Sequence, residues 1–394
     1  MFVSHLSLTD FRNYSRAEVP LETGPNLFVG SNGQGKTNLV ESLGFLSTLG
    51  SHRVSSDQAM IRQGQQAAIV RARLQHGERQ LLVEVQINRG AANKAQVNRS
   101  AIKPRELPRY FSSVLFAPED LALVRGEPSG RRRFLDELLV QLSPRMAGVI
   151  ADYDRVLRQR NTLLKSARAS GVKGSQLSTL EVWDERLVDL GSQLIEARTG
   201  LVARLLPEVA AAYETIAGED HHATLSNALS ILSSGGEDDD ETPSDARSGA
   251  ISAADTAVAF RNSLERLRRS ELDRAVTLVG PHRDDLVLEL NRLPARGYAS
   301  HGESWSFALA LKLASAQLLR RESSTGDPVL ILDDVFAELD EKRRGRLASA
   351  VHDVEQVLIT AAVHDDVPEQ LRAHTVHISG GTIVDGSTHG ESDG

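Results

Sequence analysis

At 394 residues, with 40% hydrophobic and 25% charged side chains, the chain is long enough for two or three packed units with ample core. It has no cysteine, which excludes disulfides and thiolate metal sites and fits a reducing cytoplasm. No apolar run nears the roughly 20 residues of a membrane span, and the polar start lacks a signal-peptide core, so a soluble cytoplasmic protein with no membrane partner is expected. A formal net charge of −8 argues against a dedicated nucleic-acid binder, although the acids are unevenly spread.

The first strong signal is Leu27-Phe28-Val29, a short buried strand, followed by Gly30-Ser31-Asn32-Gly33-Gln34-Gly35-Lys36-Thr37. This octapeptide fits the phosphate-loop pattern G-x-x-x-x-G-K-[ST], and Leu39, Leu43 and Leu46 give its far side a helical apolar stripe. In that setting the glycines turn backbone N–H groups onto the phosphates at a helix N-terminus. Lys36 reaches the β- and γ-phosphates and the Thr37 hydroxyl ligates Mg²⁺. A glycine-rich turn with no ligand is the alternative, and the flanking strand and helix patterns disfavour it.

Strand-like runs such as Leu81-Leu82-Val83-Glu84-Val85-Gln86-Ile87 follow. Basic clusters come next, at Arg131 to Arg133, at Arg155, Arg158 and Arg160, and again at Arg266, Arg268 and Arg269. They read either as solvated helix faces or as a phosphate-tracking surface for duplex backbone, without sequence readout. Leu180, Trp183, Leu187, Leu190, Leu194, Leu201 and Leu205 keep a three-four spacing broken at Arg198, a helical arm or core packing too short for a long coiled coil. An acidic low-complexity stretch at about 233–255 is expected to be a disordered linker, and 383–394 a disordered tail.

Ser300 and Glu303 fit a capping box, and Phe307, Leu311, Ala314 and Leu318 continue as a helix. A serine-capped helix start with Gly302 beside it is either an ordinary helix start or a place for a second anion. Pro328-Val329-Leu330-Ile331-Leu332 is a buried strand ending on Asp333-Asp334. Such strand ends are common, but paired with the phosphate loop this one is the expected Mg²⁺-holding strand. Asp333 then holds the ion, and Asp334 stands where a general base orients the attacking water. Val357-Leu358-Ile359 ends on Thr360.

The order of phosphate loop, long insertion, Ser-x-Gly-x helix, acidic strand and Ala337-Glu338-Leu339-Asp340 resembles the head domain of ABC ATPases. The blocks Leu8-Thr9-Asp10-Phe11-Arg12-Asn13-Tyr14, Phe116-Ala117-Pro118-Glu119-Asp120-Leu121, Arg131-Arg132-Arg133-Phe134-Leu135-Asp136 and Gly280-Pro281-His282-Arg283-Asp284-Asp285-Leu286 narrow the resemblance to the RecF family of bacterial recombination mediators. The fold implied is α/β, an ABC-ATPase head of the SMC and Rad50 kind. Its ATP-binding lobe takes residues 1–115 and 325–382, and 116–324 form an inserted, mostly helical lobe carrying the signature helix.

The resemblance further implies ATP and Mg²⁺ at Gly30 to Thr37, with Lys36, Asp333 and Asp334 serving hydrolysis. It implies that Ser300 and Gly302 contact ATP in trans across a homodimer, and that Asp340 faces the partner. Arg12 matches an arginine near the phosphates in related heads, and pairing with an acid is its other reading. Glu303-Ser304 replaces a Gln-Gln common in the family; a carboxylate there is expected to cap the helix backbone instead of approaching a triphosphate. Other ABC ATPases carry a histidine after the last core strand, where this chain has Thr360, with His364 shortly after as an ambiguous alternative; a missing histidine suits slow turnover. The implied partners are double-stranded DNA, single/double-strand junctions, RecR with RecO, and indirectly RecA. A structural DNA-organising head or a transporter ATPase are the competing readings; the first calls for a long arm and the second for a membrane subunit.

Overall fold

The computed structural model describes residues 1–170, 177–218, 221–233, 253–323 and 326–384. The chain forms two compact units, one from Met1–Leu121, Ala211–Asp220 and Trp305–Gly394, the other from Ala122–Ala210 and His221–Ser304.

In the first unit, the strands Ser113–Phe116, Val329–Asp333, Gln356–Ala361, Gly24–Val29 and His374–Ser379 lie side by side in parallel, with Thr382–Val384 added antiparallel at the edge. Val329–Asp333 and Gln356–Ala361 are buried along their whole length. Continuous apolar runs are what parallel strands need when both faces are covered. A second, antiparallel sheet joins Tyr14–Pro20, Phe2–Phe11, Ala67–His76, Arg79–Asn88, Lys94–Val97 and Ser100–Ile102. Its strands alternate, so Val83, Val85 and Ile87 enter the core while their neighbours do not. The helix Lys36–Thr48 buries Leu39, Val40, Leu43 and Leu46 in one apolar core with both sheets. Gln356 is also fully buried: its amide nitrogen donates to the carbonyls of Val3 and Glu22 and its oxygen accepts from Val3 N–H, each at 2.8 Å. Three satisfied bonds offset the cost of burying that amide.

The bounds differ from the expected insertion of 116–324. Ser113–Phe116 pairs with Val329–Asp333 and so belongs to the parallel sheet. The helix His301–Glu322 enters the first unit at Trp305, where Phe307, Leu311, Ala314 and Leu318 are buried and Trp305 meets Phe116 edge-on at 5.3 Å. The segment Ala211–Asp220 also returns to this unit, with Tyr213 against Phe307 at 5.8 Å. Most of the expected acidic linker and tail lies outside the described residues, but Ile383 and Val384 belong to the edge strand.

The second unit holds the helices Pro128–Leu142, Met146–Ser170, Ala253–Arg274 and most of Leu177–Ala217. It also contains an unexpected antiparallel sheet of Leu293–Pro294, Asp285–Leu290 and Thr224–Ala228. The 41-residue helix is continuous through the expected break, because Arg198 joins the buried stripe. Its guanidinium takes both carboxylate oxygens of Asp136 at 2.8 Å and the carbonyl of Pro281 at 2.6 Å.

Two of the basic clusters lose an arginine to the interior, while Arg133, Arg155, Arg158, Arg266 and Arg269 stay exposed. Arg131 is buried in a two-pronged pair with Asp285 at 2.7 Å, and Arg160 is fully buried between Asp184 and Glu271, both at 2.6 Å. The acids that draw these arginines inward lie far away in sequence, so a local charge count mistakes core ion pairs for a solvated face. Among the described residues no helix is long and apolar enough to cross a membrane.

Candidate nucleotide site

The three strands bearing the loop, the acids and Thr360 are neighbours, Gly24–Val29 beside Gln356–Ala361 beside Val329–Asp333. Thr360 pairs with Phe28 on one side and with Asp333 on the other, so the strands end together at their carboxyl ends. That edge is where ligands bind in open parallel sheets.

The loop's shape depends on its glycines. Gly35, at φ 117°, caps the helix in a conformation that side chains rarely adopt, and a Cβ there would lie 2.7 Å from Asn13 Nδ2 and 2.8 Å from Tyr14 Oη. Gly30 has no room either, since a Cβ would collide with the carbonyl oxygen of Ile378. Tyr14 Oη donates to Gly35 O at 3.0 Å from below, while the N–H groups of Gly380 and Gly381 donate to Gln34 at 2.5 and 3.0 Å. Lys36 Nζ curls over the loop to Gly30 O at 2.8 Å, Ser31 O at 3.4 Å and Asn32 Oδ1 at 3.5 Å. Gly33, at φ 81°, stands in open space.

Thr37 Oγ1 donates to Asp333 Oδ1 at 3.1 Å, which joins the loop to the acidic strand. Thr360 Oγ1 donates to the same oxygen at 2.5 Å and accepts from Asp334 N–H at 2.9 Å. Burial, with the charge of Asp334 added, pushes the Asp333 carboxyl up to about 6 against the pull of the Thr360 and Thr37 hydroxyls. Asp334 is raised too, by burial and the nearby Glu119, while Lys36 pulls it down. Asp334 sits at φ 53° in the left-handed region, and its Oδ1 is buried with no hydrogen-bond partner among the described residues.

The residues fit a magnesium nucleotide. Thr37 and Asp333 are hard oxygen donors at one spot, and no group of three or more histidines, cysteines or acids that could cage a metal occurs among the described residues. Mg²⁺ typically takes one or two protein oxygens and completes its shell with phosphates and water, which suits this sparse set. The orphaned Asp334 oxygen beside it can accept a proton from a water.

Other expected residues fall elsewhere. Arg12 gives Nε and Nη2 to buried Glu41 at 2.8 and 2.6 Å and Nη1 to Ala59 O at 2.9 Å. Burial alone would raise Glu41, but the bonds from Arg12 and Ser51 hold it below the usual carboxylate range. Ser300 and Gly302 belong to the second unit. The capping box is present there: Ser300 N–H donates to Glu303 Oε2 at 2.7 Å and Glu303 N–H to Ser300 Oγ at 3.2 Å. Asp340 caps the helix Glu341–Ala350, accepting from Arg343 N–H at 2.9 Å.

Sequence reasoning missed the support around the loop. Asn13 Nδ2 donates to Gln34 O at 3.1 Å, Asn38 to Asn13 Oδ1 at 2.8 Å and Arg53 to Asn38 Oδ1 at 2.9 Å. These side chains, with Arg12, Arg62 and Arg89, line an open groove beside the loop. No spacing announces them; only the polar ending of the apolar run before Thr360 was visible.

A family model described as RecF/RecN/SMC N terminal domain matches residues 2–380. Curated relatives described as DNA replication and repair protein RecF include one from Leifsonia xyli subsp. xyli, 68% identical over 98% of this chain and 100% of the relative. The chain belongs to the RecF family. A relative from Streptomyces avermitilis is 52% identical over 97% of this chain and 99% of its own. Among solved structures, the recombination mediator RecF with ATP, of the RecFOR pathway, matches with TM-score 0.85 and 26% identity over 97% of both chains. An Smc head bound to the C-winged helix domain of ScpA matches with TM-score 0.52 and 13% identity over 97% of this chain and 96% of its own, a likeness of fold alone. The fold is thus the ABC-ATPase head that RecF and Smc proteins share, and the family is one of DNA replication and repair.

Proposed function

We propose that the chain is an ATP-driven switch of recombinational DNA repair and replication restart. Binding of ATP closes two copies on duplex DNA near a gap, hydrolysis is slow and DNA-dependent, and it releases the pair. The observation that supports this best is the convergence of Lys36, Thr37, Asp333 and Asp334 at the carboxyl ends of the two parallel strands that flank Gln356–Ala361, in a chain of the RecF family.

Lys36 and the N–H groups from Gly30 to Thr37 bind the phosphates of ATP. Thr37 and Asp333 hold Mg²⁺, which supplies charge neutralisation on the phosphates. Asp334, with its acceptor oxygen unpartnered and its carboxyl raised by burial, orients the attacking water and takes its proton. Ser300 and Gly302 of each copy meet the ATP held by the other, with Asp340 facing the partner. Glu303 is occupied by its own helix start and contributes no phosphate contact. Arg12, paired with Glu41, supports the loop's surroundings, and a direct phosphate contact by it requires that pair to open.

On this reading the dimer holds double-stranded DNA at single/double-strand junctions and acts with RecR and RecO to promote RecA loading in the cytoplasm. Likeness to the solved RecF of the RecFOR pathway supports the RecR and RecO assignment. Duplex contact is assigned to cations other than Arg131 and Arg160, which are engaged internally. The test is ATP turnover with and without a gapped duplex. The reading expects stimulation by the duplex, and turnover indifferent to DNA contradicts it.

A further inference from the structure

We propose that Thr360 is a positioning residue for hydrolysis, the clamp that holds both acids of the site in register. The inference rests on the assignment of Asp333 and Asp334 above. Thr360 occupies the strand between the loop strand and the acidic strand, on the rung shared with Phe28 and Asp333. Its side chain is completely buried there, and its one hydroxyl makes two bonds of opposite sense. The proton goes to Asp333 Oδ1 at 2.5 Å, and a lone pair receives Asp334 N–H at 2.9 Å.

Those bonds act on different parts of the two acids. The first adds a second hydroxyl to the Asp333 oxygen that Thr37 also reaches, so its Oδ1 is fixed by two donors. The second holds the backbone of Asp334 at φ 53°, the left-handed turn that sets where its carboxylate goes. Aspartate tolerates that conformation better than most residues but does not prefer it, so an external acceptor for its N–H selects the turn. A hydroxyl is the smallest group that can donate to one acid and accept from the other. Valine has the same shape and neither capability.

The experiment compares wild type with Thr360→Val, Thr360→Ala, Thr360→Ser and Asp334→Asn, measuring melting temperature, equilibrium ATP affinity across Mg²⁺ concentration, kcat and KM. Clamping predicts that Val and Ala bind ATP like wild type at saturating Mg²⁺ but need severalfold more Mg²⁺ to reach half of that affinity. Their kcat falls tenfold or more with KM little changed, and Ser restores kcat to within about threefold of wild type. Alanine guards against misfolding of the valine variant. Wild-type kcat in Val or Ala, a Ser variant as slow as Val, or a loss of ATP affinity at saturating Mg²⁺ that accounts for the slowing would each overturn the clamp. An inactive Asp334→Asn with a fully active Thr360→Val removes Thr360 alone, whereas a fully active Asp334→Asn removes the assignment on which both depend.

Discussion

Asp333 and Asp334 are adjacent, yet the fold treats them differently. Asp333 ends a buried strand with both neighbours' hydroxyls on one oxygen, whereas Asp334 turns into the left-handed region and leaves an oxygen unpartnered. The first suits a static ligand and the second a proton acceptor. Asp334→Asn is therefore expected to keep ATP affinity and slow turnover by about 100-fold, within the range general-base removal typically costs, as single-turnover kinetics can measure. Lys36→Met, which removes the charge proposed to reach the phosphates, is expected to lose ATP binding itself in equilibrium titration.

Two residues of the Gly280 to Leu286 block set a pH response in the second unit. His282 is buried and accepts from Tyr153 Oη at 2.7 Å, and burial pushes it down to about 4. Asp284 is buried on Ser230, and burial pushes it up to about 6. Between about pH 6.5 and 4 the unfolded histidine binds a proton that the folded one refuses, so its contribution to stability falls on acidification. In the folded state Asp284 takes up its proton near pH 6, before the unfolded chain does, so its contribution rises over much of the same window. Each amounts to about 3 kcal/mol and they oppose. Asp284→Asn leaves the histidine term alone, so from pH 7 to 4 the variant is expected to lose about 3 kcal/mol more than wild type by denaturant melts. Parallel pH profiles would contradict it.

At the scale of elements, the parts legible in sequence are those whose meaning is local. The phosphate loop, the Ser300 to Glu303 capping box and the apolar run into Asp333 each occupy a few consecutive residues, and each stands in the structure as a strand end or helix start. What was not legible depends on long-range partners. Arg198 looked like a break in a stripe, and Arg131 and Arg160 looked like surface, because Asp136, Asp285, Asp184 and Glu271 lie on other elements. The small sheet around Asp285–Leu290 was missed for the same reason, since its pairing with Thr224–Ala228 crosses a long stretch of chain. Arg160→Met tests the internal reading: it strands the buried Glu271 carboxylate, while Asp184 keeps Arg268, and is expected to cost about 3–5 kcal/mol, measured by urea melts. A variant as stable as wild type with weakened DNA binding would return Arg160 to the surface role.

At the scale of the whole molecule, net charge misdirected. The −8 total includes acids in segments outside the described residues and says little about any one face. The loop and the acidic strand lie far apart in sequence yet meet in one sheet, and the borders of the two units fall elsewhere than the expected 116 and 324. Trp305 and Phe307 carry the signature helix into the first unit's core, so the border falls inside a continuous helix that no composition change marks. Ser300→Arg is expected to bind ATP as a monomer while failing to dimerise.

The proposed switch is the ATP-driven closure of two copies on duplex DNA. Sedimentation velocity of the wild-type chain in Mg²⁺, with and without ATP and with and without a gapped duplex, tests it most directly. The expected result is a monomer without ATP, a dimer with it, and co-sedimentation of that dimer with the duplex. A chain that stays monomeric in ATP, or that binds the duplex equally well without it, would contradict the claim.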